Sequence, residues 1–253
     1  MADRRSQHNH RRLAATVSLA ILVTLAVGAG AYHSTPSLRR AGKILGYRIS
    51  SSWTKPAASP TTVRLAVPYH RQEHSLSCEV AALKMVLGYY GERVSEDDLI
   101  ALLPVDDPGP RQAGNVWGDP DLGFVGDIDG RIPNGGYGVY EAPIVELAGR
   151  YRSAAAITGV TLQDLLAEVD AGRPVIVWGT LGDGRDISWT TPQGKRVAAI
   201  AGEHTRVVIG FTGTPQQPKR LILHDPIYGT ITMTKEKFLA NWKLLGNKAV
   251  VVY

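Results

Sequence analysis

The sequence predicts an α+β fold in which an N-terminal helical part packs on an antiparallel β-sheet. Two observations carry this prediction. Apolar segments with helical character come first, between residues 77 and 171. Short β-rich segments separated by Gly- and Pro-containing loops follow, from residue 175 to the C-terminus. Helices that precede a run of strands, rather than alternating with them, are typical of α+β proteins.

The helical part contains one buried helix and several capped, more exposed ones. The first segment is apolar on most faces, which indicates a buried helix, and glycines end it. Ser95 and Thr161 each stand before a helical pattern with an acidic residue in the first turn, as N-caps do. The predicted helices cover 77–90, 95–103, 142–150 and 161–171.

The C-terminal half contains β-rich runs between turn residues. Two stretches are predicted to lack regular structure: a polar segment at 181–202, and a long Gly-, Pro- and Asp-rich segment at 106–138. Long loops without regular structure usually have a function. The aromatic residues of the segment 106–138 suit the wall of a cleft. The predicted strands are 64–69, 175–180, 205–211, 221–225, 230–233 and 249–253, with a helix at 235–243.

The N-terminus has the features of a targeting segment. Residues 13–31 are 19 uncharged residues that follow a basic tail, 1–12. A helix of that length spans about 28 Å, close to the thickness of a hydrocarbon core. The preceding arginines favour leaving the tail in the cytoplasm, so residues 63–253 would form an extracytoplasmic domain joined by a tether, 32–62. A cleavable signal peptide ending at Ala29-Gly30-Ala31 remains the alternative to a membrane anchor.

Charge gives little support for a nucleic-acid partner. The formal charge is +5, but the first 12 residues alone carry +3, which leaves +2 for the other 241. A basic domain surface is the usual footprint of nucleic-acid binding. We therefore expect no nucleic-acid partner.

No metal or other cofactor is predicted. His70 and His74 lie four residues apart, but no third ligand is evident nearby. The acidic residues of the long segment do not have EF-hand spacing. These residues are Asp119, Asp121, Asp127 and Asp129.

Cys78 is the single cysteine, which excludes an intramolecular disulfide framework and a multi-cysteine zinc site. It stands at the start of the first predicted helix, after a polar loop. The free N–H groups and the dipole of a helix N-terminus lower the pKa of a thiol. We therefore expect a reactive thiol with a depressed pKa, whereas a buried structural cysteine is the plainer alternative.

A candidate base and its partner lie in two consecutive strands. His204 begins one strand and Asp225 ends the next. A hairpin centred between Thr214 and Pro215 would place the two opposite each other, with Cβ atoms about 5 Å apart. The carboxylate could then orient the imidazole and leave its other nitrogen for a thiol. His224 is the rival base, but as a strand neighbour of Asp225 it should point to the opposite face.

Gln72 lies six residues before Cys78. Its amide could donate to a developing oxyanion, together with the main-chain N–H of Cys78. On its own, a glutamine at this position has the plainer explanation of solvated surface.

Three motifs follow one another along the chain: the Gln-x5-Cys segment before an Ala-rich helix, the segment GEHTRVVIGF at 202–211, and HDPIYG at 224–229. They resemble those of the bacteriocin-processing (double-glycine leader) cysteine peptidases and their single-domain, papain-like relatives. The resemblance implies a papain-like fold with Cys78 as nucleophile, His204 as base, Asp225 as orienting group and Gln72 in the oxyanion hole. Members often have glycine after the cysteine, where this chain has Glu79.

These features together predict a cysteine peptidase that cleaves peptide or protein substrates outside the cytoplasmic membrane, through a thioester intermediate. Two alternatives use the same cleft. One is a non-catalytic, membrane-tethered module that binds peptides or wall fragments. The other is an acyl or peptidyl transferase that uses the same Cys–His pair.

Overall fold

The structure is a computed structural model that describes residues 61–107, 109–131 and 134–253. The predicted basic tail, the apolar span and all of the tether up to residue 60 lie outside the described residues. Within the part of the chain that the structure describes, no helix is long and apolar enough to cross a membrane.

The described residues form five helices and ten strands. The helices are α1 (Cys78–Tyr89), α2 (Glu96–Leu102), α3 (Glu141–Ala148), α4 (Leu162–Asp170) and α5 (Lys235–Lys243). The strands are β1 (Thr62–Arg64), β2 (Val105–Asp107), β3 (Phe124–Gly126), β4 (Gly136–Gly138), β5 (Ala154–Ala156), β6 (Val175–Thr190), β7 (Arg196–Gly213), β8 (Pro218–Asp225), β9 (Gly229–Thr234) and β10 (Ala249–Val252).

The predicted helices are confirmed to within two residues at each end. The caps form as the sequence predicts: the Ser95 hydroxyl accepts the N–H of Asp98, and Thr161 forms a reciprocal capping box with Asp164. The α1 helix is buried on most faces, and each fully buried Leu or Val side chain of such a helix stabilises the fold by about 1.5–3 kcal/mol. Burial on this scale fixes α1, and with it Cys78, in the centre of the domain.

Seven strands form one antiparallel sheet, in the order β5-β10-β6-β7-β8-β9, with β1 also paired to β7. Successive residues of a strand point to opposite faces, and each face has its own core. In β10, Val250 packs in the cluster that contains α1 and α3, whereas Val251 packs in the cluster that contains α4 and α5. Helices therefore cover both faces of the predicted sheet.

The segment 181–202, predicted as a loop, is instead a long hairpin formed by β6 and β7. Trp189 pairs with Val197 and both are buried, while many of their neighbours are exposed. A strand pair with a single buried face carries many polar residues, which explains why its composition resembled a loop. A register shift near Thr180, where Gly182 and Gly184 have positive φ angles of 73° and 66°, also interrupts the alternation.

Two further stretches differ from prediction. The segment 106–138 is not without regular structure, because β2, β3 and β4 form a small separate sheet within it. The strand predicted at 64–69 lies earlier, as β1, and pairs with β7. Pro68 has no N–H to donate, which limits how far this strand can extend.

Candidate active site

Cys78 is the first residue of α1, and its side chain is only 5% exposed. The loop before it is held by Ser77, whose hydroxyl bonds both the N–H and the carbonyl of His74. The thiol Sγ lies 3.2 Å from Oε2 of Glu79 and donates to it. The site thus places the thiol at a helix start, as predicted, but inside the protein.

The predicted depression of the Cys78 pKa is wrong for this resting arrangement. Burial, followed by the charges of Glu79 and Glu203, raises the pKa of the thiol well above its ordinary value. A hydrogen bond with the main chain of Thr205 opposes this shift but does not reverse it. Desolvation and two adjacent carboxyl groups outweigh the stabilisation that a helix N-terminus offers a thiolate.

His204 lies on β7 and Asp225 ends β8. Nε2 of His204 is 3.0 Å from Oδ1 of Asp225, and both side chains are buried. Because an ionised carboxylate only accepts, Nε2 carries the proton and Nδ1 is left as the acceptor. Burial lowers the pKa of His204 despite the opposing effect of Asp225, so the imidazole is neutral in the resting site.

The strand register that we predicted for these two residues is wrong. Val207 pairs with His224 and Val208 with Leu223, two residues away from the predicted alignment. A shift of two residues leaves every side chain on the same face of the sheet, because the strand period is two. His204 and Asp225 therefore still meet, diagonally rather than directly across.

Arg206 completes the surroundings of Asp225, and sequence reasoning missed it. Its Nε donates to Oδ2 of Asp225 at 2.7 Å, and its guanidinium also bonds the carbonyl of Thr180. The N–H groups of Ile227 and Tyr228 donate to the other carboxylate oxygen. Burial alone would raise the pKa of Asp225. The hydrogen bond from His204, together with these contacts, outweighs burial and holds that pKa below its ordinary value. Arg206 follows His204 at a spacing of two, so strand periodicity could have identified it.

Cys78 and His204 line the same small cavity, of about 50 Å³. The cavity lies between the loop before α1, the start of the long hairpin and the turn after β8. Its other lining residues are Gln72, Ser75, Leu76, Tyr137, Leu181, Glu203 and Ile227. The predicted nucleophile, base and oxyanion residue thus share one enclosed space, and Asp225 lies behind the base.

Gln72 lines this cavity, but its amide is engaged elsewhere. Nε2 donates to the carbonyls of His74 and Ser75 at 2.8 and 2.9 Å. Its Oε1 is buried and has no hydrogen-bond partner among the described residues. Donation to an oxyanion would require the amide to release one of its two carbonyl partners, so this role stays a prediction.

His224, the rival base, faces away from the cavity. Its Nε2 lies 3.0 Å from the carbonyl of Val67, and its Nδ1 lies 3.0 Å from the hydroxyl of Thr230. This agrees with the opposite-face argument made from the sequence.

Two clusters in the described part of the chain have metal-ligand chemistry. One is His70, Glu73 and Glu96. In it, the His70 imidazole already bonds Glu96 at 2.6 Å. The other is Cys78 with Glu79 and Glu203. These two buried carboxyl groups were not identified as neighbours from the sequence. His74, which lies four residues after His70, bonds Asp97 and Asp129.

Comparison with known proteins identifies the family of the domain. Residues 64–250 match the Peptidase_C39 like family. The uncharacterized protein YvpB of Bacillus subtilis (strain 168) is 32% identical over 186 residues, covering 69% of this chain and 68% of that protein. A crystal structure from Bacillus anthracis, described as C39-like, is 29% identical with a TM-score of 0.66, covering 76% of this chain and 98% of that one.

A second similar structure is a double glycine motif protease from an AMS/PCAT transporter, solved with a leader peptide. It is 17% identical with a TM-score of 0.44, covering 77% of this chain and 97% of that one. The family match spans nearly the whole described domain and includes Cys78, His204 and Asp225. The chain therefore belongs to the Peptidase_C39 like family.

Proposed function

We propose that this chain is a cysteine peptidase that hydrolyses peptide bonds with Cys78 as nucleophile, His204 as base and Asp225 as the orienting group. One observation carries the proposal: Cys78 and His204 line one cavity while Asp225 holds Nε2 of His204 at 3.0 Å. Membership in a peptidase family supports the reaction class.

Acylation begins with proton transfer from Sγ of Cys78 to Nδ1 of His204. The thiolate attacks the substrate carbonyl, and the C=O electron pair moves onto oxygen. The main-chain N–H of Cys78, at a helix start, has no partner within the helix and can donate to this oxyanion. The imidazolium then protonates the leaving amine, the C–N bond breaks and a thioester remains on Cys78.

Deacylation uses the same groups in reverse. Neutral His204 takes a proton from a water molecule, which attacks the thioester carbonyl. The tetrahedral intermediate collapses, the C–S bond breaks and the proton returns to the thiolate. Asp225 stabilises the imidazolium that forms twice in this cycle, because it supplies a buried negative charge at Nε2.

The proposed substrate is a peptide or protein outside the cytoplasmic membrane. The support for this location is the 19-residue uncharged segment behind an arginine-rich tail. Fractionation of cells into membrane and soluble parts, with sequencing of the mature N-terminus, tests it. A soluble form that begins at Tyr32 would indicate a cleaved signal peptide instead of an anchor.

The catalytic proposal is tested by incubating the full chain with a peptide library and sequencing the new termini. We expect cleavage by the wild type and a loss of at least about a thousandfold in Cys78→Ala and His204→Gln. His224→Gln is the matched control, because His224 is buried beside Asp225 but bonds Val67 and Thr230. It should retain activity within a few-fold.

Two results would contradict the proposal. Cleavage that persists in Cys78→Ala would mean that another group attacks the substrate. Loss of activity in His224→Gln with retention in His204→Gln would exchange the roles of the two histidines.

A further inference from the structure

Two buried glutamates lie beside the proposed nucleophile and have no part in the reaction described above. Glu79 follows Cys78 on α1, and Glu203 precedes His204 on β7; their side chains are 0% and 4% exposed. One oxygen from each carboxyl group and Sγ of Cys78 all lie within 4.8 Å of one another. Burying carboxyl groups is costly unless they are paired or protonated. We call Glu79 and Glu203 the carboxyl pair.

The contacts of the carboxyl pair connect it to the thiol. Oε1 of Glu79 accepts the N–H of Val139 at 2.8 Å, and its Oε2 accepts the thiol of Cys78 at 3.2 Å. Glu203 accepts the hydroxyl of Thr205 at 3.2 Å. The two carboxyl groups also lie beside each other, with one oxygen of each within 4.8 Å of the other. A hydrogen bond between them forms only when one of them carries a proton.

The main chain of β4 closes over the carboxyl pair at Gly138. A Cβ atom at this glycine would lie 2.5 Å from Oε1 of Glu79 and 2.8 Å from Oε2 of Glu203. Its φ of 136° is in the region that side chains rarely adopt. Only glycine lets the backbone approach this closely, so the pair is sealed from solvent on this side.

No cation is placed to neutralise both carboxylates among the described residues around them. Arg206, the nearby positive charge, bonds Asp225 and the carbonyl of Thr180. The titratable and charged side chains that surround the pair are Cys78 from α1, Tyr137 and Tyr140 from β4 and the turn after it, and His204 and Arg206 from β7.

The carboxyl pair therefore binds a proton near neutral pH. Burial raises the pKa of Glu79 to about 7. Burial and the charge of Glu79 raise the pKa of Glu203 well above its ordinary value. Burial is the main cause of both shifts, because it penalises the charged carboxylate, and for Glu203 the neighbouring charge of Glu79 adds to it.

We propose that Glu79 and Glu203 share a proton and are positioning residues that hold Cys78 as a neutral thiol, so that their ionisation controls when the nucleophile forms. This inference rests on the proposed function of Cys78. The S–H bond that donates to Glu79 must turn away from that carboxyl group before it can donate to Nδ1 of His204. The resting site is thus restrained by its own carboxyl pair.

The direction of the pH effect follows from charge. As the pH rises through the titration of the pair, near 7 for Glu79, the pair gains negative charge. A negative charge beside Sγ disfavours the thiolate, so the Cys78 thiol becomes harder to ionise. When both carboxyl groups are protonated, the pair is neutral and can donate a hydrogen bond to the thiolate. Ionisation of the Cys78 thiol is therefore less strongly opposed while the pair is protonated than after the pair has ionised.

Alkylation of Cys78 by iodoacetamide, followed against pH in the full chain, tests the inference. Cys78 is the sole cysteine, so the labelled residue is unambiguous. We expect a wild-type midpoint above about 8.5, the value for free cysteine. Glu79→Gln and Glu203→Gln should each lower the midpoint by about one pH unit, which raises the rate at pH 7 about tenfold.

Glu141→Gln is the matched control. Glu141, the first residue of α3, is also buried, but its carboxylate pairs with Lys248. Its midpoint should equal that of the wild type. Midpoints unchanged in both carboxyl-pair variants would overturn the inference. If neither variant folds, a wild-type midpoint below that of free cysteine would overturn it as well. Alkylation needs no substrate, so the two proposals fail separately: shifted midpoints without any peptide cleavage would refute the proposed function, while still showing that the carboxyl pair controls the ionisation of the thiol.

Discussion

At the scale of single residues, Asp225 connects the proposed base to the fold. It accepts hydrogen bonds from His204, from Arg206 and from the N–H groups of Ile227 and Tyr228. These bonds fix the carboxylate, and the carboxylate fixes which imidazole nitrogen is free. The free nitrogen, Nδ1, is the one that the proposed mechanism requires.

Asp225→Asn should lower kcat for peptide cleavage by about 10²- to 10⁴-fold. The amide no longer holds the proton on Nε2 of His204 and no longer offers a negative charge to the imidazolium. The variant should also lose stability, by about 3 kcal/mol, because the buried guanidinium of Arg206 loses its carboxylate partner. Steady-state kinetics below the unfolding transition, with denaturant unfolding measured in parallel, checks both effects.

Arg206→Gln separates the two effects. It removes the ion pair with Asp225 but keeps the hydrogen bond between Asp225 and His204. We expect a comparable loss of stability with a smaller loss of kcat. Equal losses of kcat in the two variants would mean that Asp225 acts through the fold and not through the imidazole.

The residues at the site could be predicted only in part. The predicted register was wrong by two residues. His204 and Asp225 were still correctly placed on one face of the sheet, because a shift of two residues does not change the face to which a side chain points. The raised pKa of Cys78 could not be predicted, because it comes mainly from burial by packed elements, with further contributions from the charges of Glu79 and of Glu203 on β7. A helix-start position is visible in one sequence segment, whereas a neighbour from a distant strand is not.

At the scale of secondary-structure elements, the short strand β4 determines the surroundings of the thiol. Gly138→Ala would push a methyl group against Glu79 and Glu203 in addition to straining a positive φ. We expect a loss of unfolding free energy of more than about 2 kcal/mol, because the strain alone costs about 1–3 kcal/mol. Denaturant unfolding of the full chain measures it.

Gly91→Ala is the control for backbone strain. Gly91 also has a positive φ, of 92°, but a Cβ there would meet nothing within 4 Å. It should cost less than Gly138→Ala and leave the alkylation midpoint of Cys78 unchanged. Equal costs for the two variants would show that contact with the carboxyl pair adds nothing.

Helices were easier to predict than strands in this chain. The caps at Ser95 and Thr161 are local signals, and the structure confirms both. The hairpin of β6 and β7 was missed because its outer half has one exposed face and glycines that break the alternation. Pairing of distant residues, which stabilises such strands, leaves only a weak local pattern.

At the scale of the whole domain, the site depends on packing between a helix and a sheet. The α1 helix supplies Cys78, and β7 supplies His204, Glu203 and Arg206. The apolar side chains of α1 and the inward residues of β7, such as Val207 and Ile209, belong to one core cluster. That core holds the start of α1 against β7. The site therefore lies where the predicted N-terminal helical part meets the sheet.

The most direct test of the account is acid-quenched mass spectrometry of the full chain after brief incubation with a cleavable peptide. The account predicts a peptide-derived acyl group on Cys78 of the wild type, at a mass that shows loss of the leaving amine. It predicts no such adduct in Cys78→Ala, and a much slower appearance in His204→Gln. Peptide cleavage without any adduct, continuing in Cys78→Ala, would contradict the proposed nucleophile.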